Sequence, residues 1–423
     1  MIKVNKFFYL SLSLMLIISV SVALAGGVQE AKEVEEKVSL EMWSWRPEDV
    51  EQYNQILTDF ENTHPTIDVT FKPFKNTDYP SILLTALEGG EGPDVMQLKS
   101  YGGLQVYIKY LEALENKIPS LGEFSETALS GARGRVDNKI YGVPFATQYL
   151  GIYYNKKIFK EHGLVEPTTW GEFLETCKKL KDRGVMPLAN GGKDGWTLEV
   201  LFGVLGPYFY GANDFYEEVT KGETTFEDPR FVKALEKTLD VKPYLPPGFM
   251  GVGYSDQRAL FYNEQAAMYI GGAWEIGGFK QENPDIEFDI FPGLPETRGE
   301  KAYISGFCDG SYGMNKDTAY PAESLELLKF IASPDFGQRF SDLLAQLSTV
   351  PGVEPKDPQQ KKFIELSKNS TPYIMLVGFR WETPSGSEVL QSTLQEMFQG
   401  NMTPAEVAAK VQEALEEWYE PFK

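Results

Sequence analysis

Residues 38–74 read VSLEMWSWRPEDVEQYNQILTDFENTHPTIDVTFKPF, and the order of patterns in this stretch decides the fold. VSLEMWSW has the aromatic and β-branched content of a strand. PEDVEQYNQILTDFENTHP has helical spacing, with Pro47 near its start and Pro65 after its end. IDVTFKPF follows at once as a second strand. Strand, helix and strand joined by short links imply a parallel pair, and so an α/β unit.

The same pattern recurs outward from there. ILLTALEGG is helical, PDVMQL is a strand, LGIYYNKKIF is a strand leading into a helix, and TWGEFLETCKKLKDRG is an N-capped helix stopped at Gly184. No fixed-period repeat is visible. At the N-terminus Lys3 and Lys6 precede an uncharged run from Phe7 to Ala25 that ends Ala23-Leu24-Ala25. Such a run approaches the length of a spanning helix, but its serines and A-x-A ending favour a cleaved signal peptide over residues 1–25. An acidic tether, GGVQEAKEVEEK, occupies 26–37. Roughly 390 residues then remain, more than one core usually serves, so two domains are expected.

The chain has 40 Lys and Arg against 61 Asp and Glu, a net charge of −21. Removing Lys3 and Lys6 with the leader gives 38 − 61 = −23, a surface that repels nucleic acid and anionic lipid. The two cysteines, Cys177 and Cys308, both lie far from the cleavage site where a lipid-bearing cysteine would stand, which argues for an exported, periplasmic or extracytoplasmic protein without a lipid anchor. Phe173, Leu174, Cys177 and Leu180 share one helical face, so Cys177 is expected in a core and unpaired. His64 and His162 have no spaced carboxylate or thiol partners, and no metal site or cofactor is expected.

Aromatic residues make up 13% of the chain, including 22 tyrosines and 7 tryptophans. Several tryptophans stand in polar, turn-like settings: Trp43 and Trp45 at a strand end, Trp196 in GGKDGWTLE, Trp274 in YIGGAWEIGGF and Trp381 in GFRWETP. Large aromatics commonly fill cores. Tryptophans beside glycine, serine, arginine or glutamate also suit a sugar, because an indole covers the apolar face of a pyranose while polar neighbours bond its hydroxyls. A glycosidase would need two carboxylates about 5 to 10 Å apart, and 61 acids mark no particular pair. No G-x-S-x-G, P-loop or dinucleotide fingerprint is present, so an enzyme is not expected.

FENTHPTIDV, EGPDVMQL, DNKIYGVPFATQYLGIYYNKKIFKEHGL, TTWGEFLETCKKLKDRGVMPLANGG, FYNEQAAMYIGGAWE and SLELLKFIASPDFGQRF, in that order, resemble the family 1 extracellular solute-binding proteins over about Val38 to Trp418. These are the sugar-capturing subunits of ABC importers, with a layout similar to maltose-binding protein. The resemblance implies a two-lobed α/β, periplasmic binding protein-like fold with a ligand cleft between lobes and closure about a hinge. Lobe one would comprise 38–146 and 309–348, lobe two 147–305 and 353–423, and the crossing segments 306–308 and 349–352.

Carried onto this sequence, the resemblance implies a ligand site of Trp43, Trp45, Arg46, Lys99, Ser100, Tyr101, Gln148, Tyr149, Trp196, Trp274, Glu275 and Asp309, to which the chemistry of FRWETP adds Arg380 and Trp381 as candidates. Trp274 would stack on the sugar. Glu275 would accept hydroxyl bonds, and the flanking glycines would keep the loop thin enough for close approach. Arg380 and Trp381 would add a subsite or form an ordinary packed turn. The implied partners are a small-molecule sugar and the membrane permease of an ABC importer, with no nucleic acid, and the protein would be a monomer. A receptor for an amino acid or peptide, and a secreted carbohydrate-active enzyme, remain the alternatives.

Overall fold

A computed structural model describes residues 37–423. The expected leader, 1–25, and the tether up to residue 36 lie outside the described residues.

The opening stretch folds as its pattern requires. Strand β1 (Val38–Ser44) and strand β2 (Ile67–Pro73) pair in parallel from Val38 opposite Ile67 to Ser44 opposite Pro73. Between them a short 3₁₀ turn, Pro47–Asp49, leads into the helix Val50–Thr63. That helix buries Tyr53, Ile56, Leu57 and Phe60, spaced to form one apolar stripe against the sheet. The remaining strands are β3 (Val95–Lys99), β4 (Val143–Asn155), β5 (Met186–Leu188), β6 (Ala266–Gly272), β7 (Phe288–Phe291), β8 (Ile304–Met314), β9 (Leu347–Ser348) and β10 (Ser370–Pro372). Their order is β2-β1-β3-β8-β4-β6-β5, with β7 and β9 also on β4 and β10 on β8.

Two long strands carry the sheet from one half of the molecule to the other. The C-terminal part of β8 pairs antiparallel with β3, from Lys99 opposite Gly310 to Val95 opposite Met314. Its earlier residues run against β4. Beyond Tyr149, β4 leaves β8 and pairs with β6 and β7. The β4–β8 register shifts around Ala146, which marks a local bend.

Separate cores lie on either side. One gathers Leu40, Tyr53, Phe60, Leu98, Phe145, Tyr312 and Phe340. Another gathers Phe173, Leu201, Phe202, Phe231, Leu394 and Val411, and a third, around Tyr153, Tyr269, Phe279 and Phe288, sits beside it. Helix ends follow their signals: Thr169 Oγ1 accepts from the Glu172 N–H at the start of Trp170–Asp182, and Gly184 has φ +77° just beyond its end, where a side chain would be strained. Cys177 is buried in that helix and Cys308 in β8, and both are unpaired.

Candidate functional site

The strand ends of the first half meet the crossing strands at a buried polar cluster. Arg46, one residue past Trp45 at the exit of β1, donates through Nε to Asp49. Gln346, between the helix Pro334–Leu344 and β9, donates to Asp49 Oδ2 at 3.5 Å. Its Oε1 accepts from Gln148 Nε2 on β4 at 3.2 Å, and the same amide donates to Asp309 Oδ2 on β8 at 3.3 Å. Burial holds the Asp49 and Asp309 carboxyls above the usual range, against the pull of Arg46.

Lys99, at the end of β3, donates to Asn76 Oδ1 at 2.6 Å and lies 5.8 Å from the Trp45 ring. Burial, with Arg380 nearby, pushes its ammonium down to about 8. Among the described residues, two buried oxygens in this cluster, Gln148 Oε1 and Ser100 Oγ, have no hydrogen-bond partner; Ser100 lies beside the Cys308 thiol, a weak partner. Unpartnered buried oxygens are costly in a finished core.

A second pole is aromatic. Trp274 is half-buried in the two-residue turn between β6 and the helix Glu275–Glu282. Its ring centroid lies 6.5 Å from Trp196 and 6.3 Å from Phe307, and Trp196 lies 4.8 Å from Tyr254. Between the two halves a cavity of about 20 Å³ is lined by Glu48, Asp49 and Gln52 on one side and Tyr254, Arg258, Trp274 and Gln281 on the other. That volume holds about one water, so a larger solute enters only when the halves separate. They touch elsewhere too: Gln52 Nε2 donates to Gln281 Oε1 at 3.4 Å, and Arg135 pairs with Glu382 at 2.7 Å.

Four other expected site residues, Trp43, Tyr149, Tyr101 and Trp381, are engaged within the protein. Trp43 is spent in the first core, with its ring 4.8 Å from Phe74 and its N–H donated to Glu41 at 2.7 Å. Tyr149 lies opposite Gly306 in the sheet, and its carbonyl accepts from the Ala273 N–H, so it steadies the Trp274 turn. Tyr101, at φ +58°, accepts from the Cys308 N–H at 3.3 Å and sets its ring edge-on to Trp381. Trp381 donates to the Val377 carbonyl at 3.1 Å, and its ring, with that of Trp418, flanks the Arg135 guanidinium at 5.8 and 5.4 Å. Arg380 makes no hydrogen bond or ion pair among the described residues.

Two expectations for YIGGAWEIGGF need correcting. Glu275 is wholly buried and accepts from Arg258 Nε at 2.8 Å, Tyr269 Oη at 2.6 Å and Trp274 Nε1 at 3.0 Å. It therefore offers no free oxygen to a ligand in this conformation. Nor do the glycines form a thin loop. Gly271 and Gly272 end a strand and Gly277 and Gly278 open a helix. A Cβ at Gly272 would overlap the Trp274 ring, one at Gly277 the Leu344 carbonyl, and one at Gly278 the Arg258 guanidinium. The missing side chains make room for the protein's own groups.

The sequence reading did not single out Asp49, Tyr254, Arg258 or Gln346. Asp49 and Arg258 look like ordinary charges on helical segments. Gln346 carried a signal, a polar residue amid the apolar LLAQLST run next to the crossing, where Ala345 takes φ +51°.

Comparison with known families places this geometry. The family model for bacterial extracellular solute-binding protein matches residues 44–338, more than half of the chain. The chain belongs to this family. The solute-binding protein is 26% identical over 393 residues to the multiple sugar-binding protein of Streptococcus mutans, covering 86% of this chain and 88% of the relative. It shares the fold of an ABC transporter solute-binding protein from Thermotoga lettingae bound with α-D-tagatose, with a TM-score of 0.76, 21% identity, and 91% of this chain and all of that one covered. A chitin oligosaccharide binding protein superposes with a TM-score of 0.74 at 24% identity, over 91% of this chain and 99% of the other. The two-lobed α/β fold is thus that of the solute-binding family, and among the described residues no helix is long and apolar enough to cross a membrane.

Proposed function

We propose that this solute-binding protein captures a sugar or short oligosaccharide between its lobes and delivers it to the permease of an ABC importer. The observation that carries this reading is the Trp274 indole, backed by Trp196 and facing a cavity whose opposite wall is Glu48, Asp49 and Gln52. An apolar face opposed by carboxylates and an amide matches the two-sided chemistry of a pyranose. The sugar-binding relatives support the same class of solute.

Trp45, Arg46, Lys99, Ser100, Gln148, Asp309 and Arg380 would contact the solute at the other pole. The lobes would divide as 38–146 with 309–348 and 147–305 with 353–423, meeting at crossing segments 306–308 and 349–352, a reading supported by the separate cores. The protein would act as a monomer outside the cytoplasm, exported by its leader, and would turn nothing over.

A thermal-shift screen against D-galactose, D-tagatose, maltotriose, raffinose and chitobiose tests the reading, since a ligand that binds only the native state raises the midpoint. A response to amino acids or peptides with none to sugars would reverse it. Long incubation with the responding oligosaccharide, followed by chromatography, should recover it intact, and cleavage would identify an enzyme instead.

A further inference from the structure

Glu275 sits at the centre of a network that the family assignment does not require. Its Oε1 accepts from both the Trp274 indole N–H and the Tyr269 hydroxyl, and its Oε2 accepts from Arg258 Nε. The network is itself supported from behind: Gln257 Nε2 donates to Tyr269 Oη at 3.0 Å, and Gln257 Oε1 accepts from the Gly191 N–H at 2.8 Å. Arg258 lies 5.4 Å from the Tyr254 ring, which packs on Trp196. Glycine at 272 and at 278 leaves the space that the indole and the guanidinium occupy.

Every element of this arrangement constrains Trp274. An indole has two rotatable bonds, and its single donor is tied to a carboxylate that cannot move without breaking its other two bonds. A surface tryptophan that only covered a core would need none of this. We propose that Glu275, held by Arg258, is a positioning residue: it is wholly buried and touches no solute, and it fixes the plane in which the Trp274 indole meets the sugar ring. The solute's fit to that face would thus be set by a buried ion pair, with Arg258 also walling the cavity opposite Glu48. This inference rests on the reading that Trp274 faces the sugar.

A double-mutant cycle tests it, using whichever sugar of the panel above gives the largest thermal shift. Glu275→Gln keeps shape and an acceptor but removes the charge that orients Arg258. It should weaken binding about 3- to 30-fold in the native chain. In a Trp274→Ala background the same change should alter affinity by less than about twofold, because there is no indole left to position. Arg258→Lys, which loses the fork but keeps the charge, should repeat the pattern if Glu275→Gln folds poorly. Without ligand, Glu275→Gln should diminish the near-ultraviolet ellipticity that Trp274→Phe removes. Equal losses of affinity in both backgrounds, or an unchanged ellipticity, overturn the proposal. A native chain that binds none of the sugars sinks the sugar reading, and the ellipticity comparison then decides the positioning role alone.

Discussion

Trp274 and Glu199 show how one side chain can carry either function or strain. Trp274 is half-buried, so its removal costs less fold stability than the ~3–5 kcal/mol of a fully buried indole. Stacking contributes about 0.5–1.5 kcal/mol beyond area burial, which itself adds about 25 cal/mol per Å². Trp274→Ala should therefore weaken sugar binding by roughly 2–4 kcal/mol, about 30- to 1,000-fold by calorimetry, while urea unfolding without sugar changes modestly. A strongly destabilised variant whose folded fraction binds normally would move Trp274 into the core. Glu199 is a different case, because its carboxylate is buried and among the described residues no cation is bonded to it. Ser387 Oγ and Gln391 Nε2 donate to Oε2, and Oε1 has no partner among the described residues. Burial raises its pKa, so the folded state holds the proton more tightly than the unfolded chain. The sign follows: stability falls as pH rises above the ordinary glutamate range near 4.3 until the folded-state pKa is passed, with a slope of at most about 1.4 kcal/mol per unit. Glu199→Gln should flatten that slope and be the more stable form at pH 8 in urea titrations. A steeper slope in the variant would contradict the assignment.

Elements were the most legible level of this chain. The parallel β1–β2 pair, the helix stopped by Gly184 and the strand PDVMQL follow from period, caps and prolines, which act within a few residues. YIGGAWEIGGF was misread for a reason of the same kind. Paired glycines signal a turn when only backbone freedom is considered, but here they make room for other groups of the protein, Trp274 at Gly272, Leu344 at Gly277 and Arg258 at Gly278. Gly272 tests this directly. A Cβ there would overlap the Trp274 ring, and overpacking of this sort costs about 1–3 kcal/mol. The indole can relieve the overlap only by leaving its place against Glu275. Gly272→Ala should then keep the strand, since β6 needs no left-handed backbone there, and lower sugar affinity about tenfold. Unchanged affinity with an unchanged tryptophan ellipticity would show that the ring tolerates the extra carbon.

At the scale of the whole molecule, the sequence pointed to residues from both halves but could not say which would meet. Arg46, Lys99, Gln148 and Asp309 do converge, because strand ends and crossing strands share one edge of the sheet. Asp49, Gln346 and Arg258 escaped notice since the partners that give them a role, Gln346 for Asp49 and Glu275 for Arg258, are brought beside them only by the fold. The apposition itself gives the sharpest test. Gly102 lies against the Arg380 carbonyl and the Trp381 Cα, so a Cβ at 102 would overlap the facing backbone. Backbone cannot yield as a side chain does, and Gly102 has no left-handed φ that would strain alanine. In the separated state, then, Gly102→Ala should cost little, and most of its penalty should fall on closure. The expected variant unfolds in urea like the native chain and associates at the same rate, but releases sugar faster, with affinity lowered about 5- to 150-fold for a penalty of about 1–3 kcal/mol. Arg135→Ala removes an ion pair and cation–π contact on the same seam. Because those groups are more than a third exposed, that loss should be under about 1 kcal/mol, a few-fold in affinity. Solution scattering distinguishes closure from folding: with saturating sugar the native chain should lose radius of gyration and Gly102→Ala should not. A Gly102→Ala variant that compacts and binds like the native chain would show that the sugar-bound state does not use this contact.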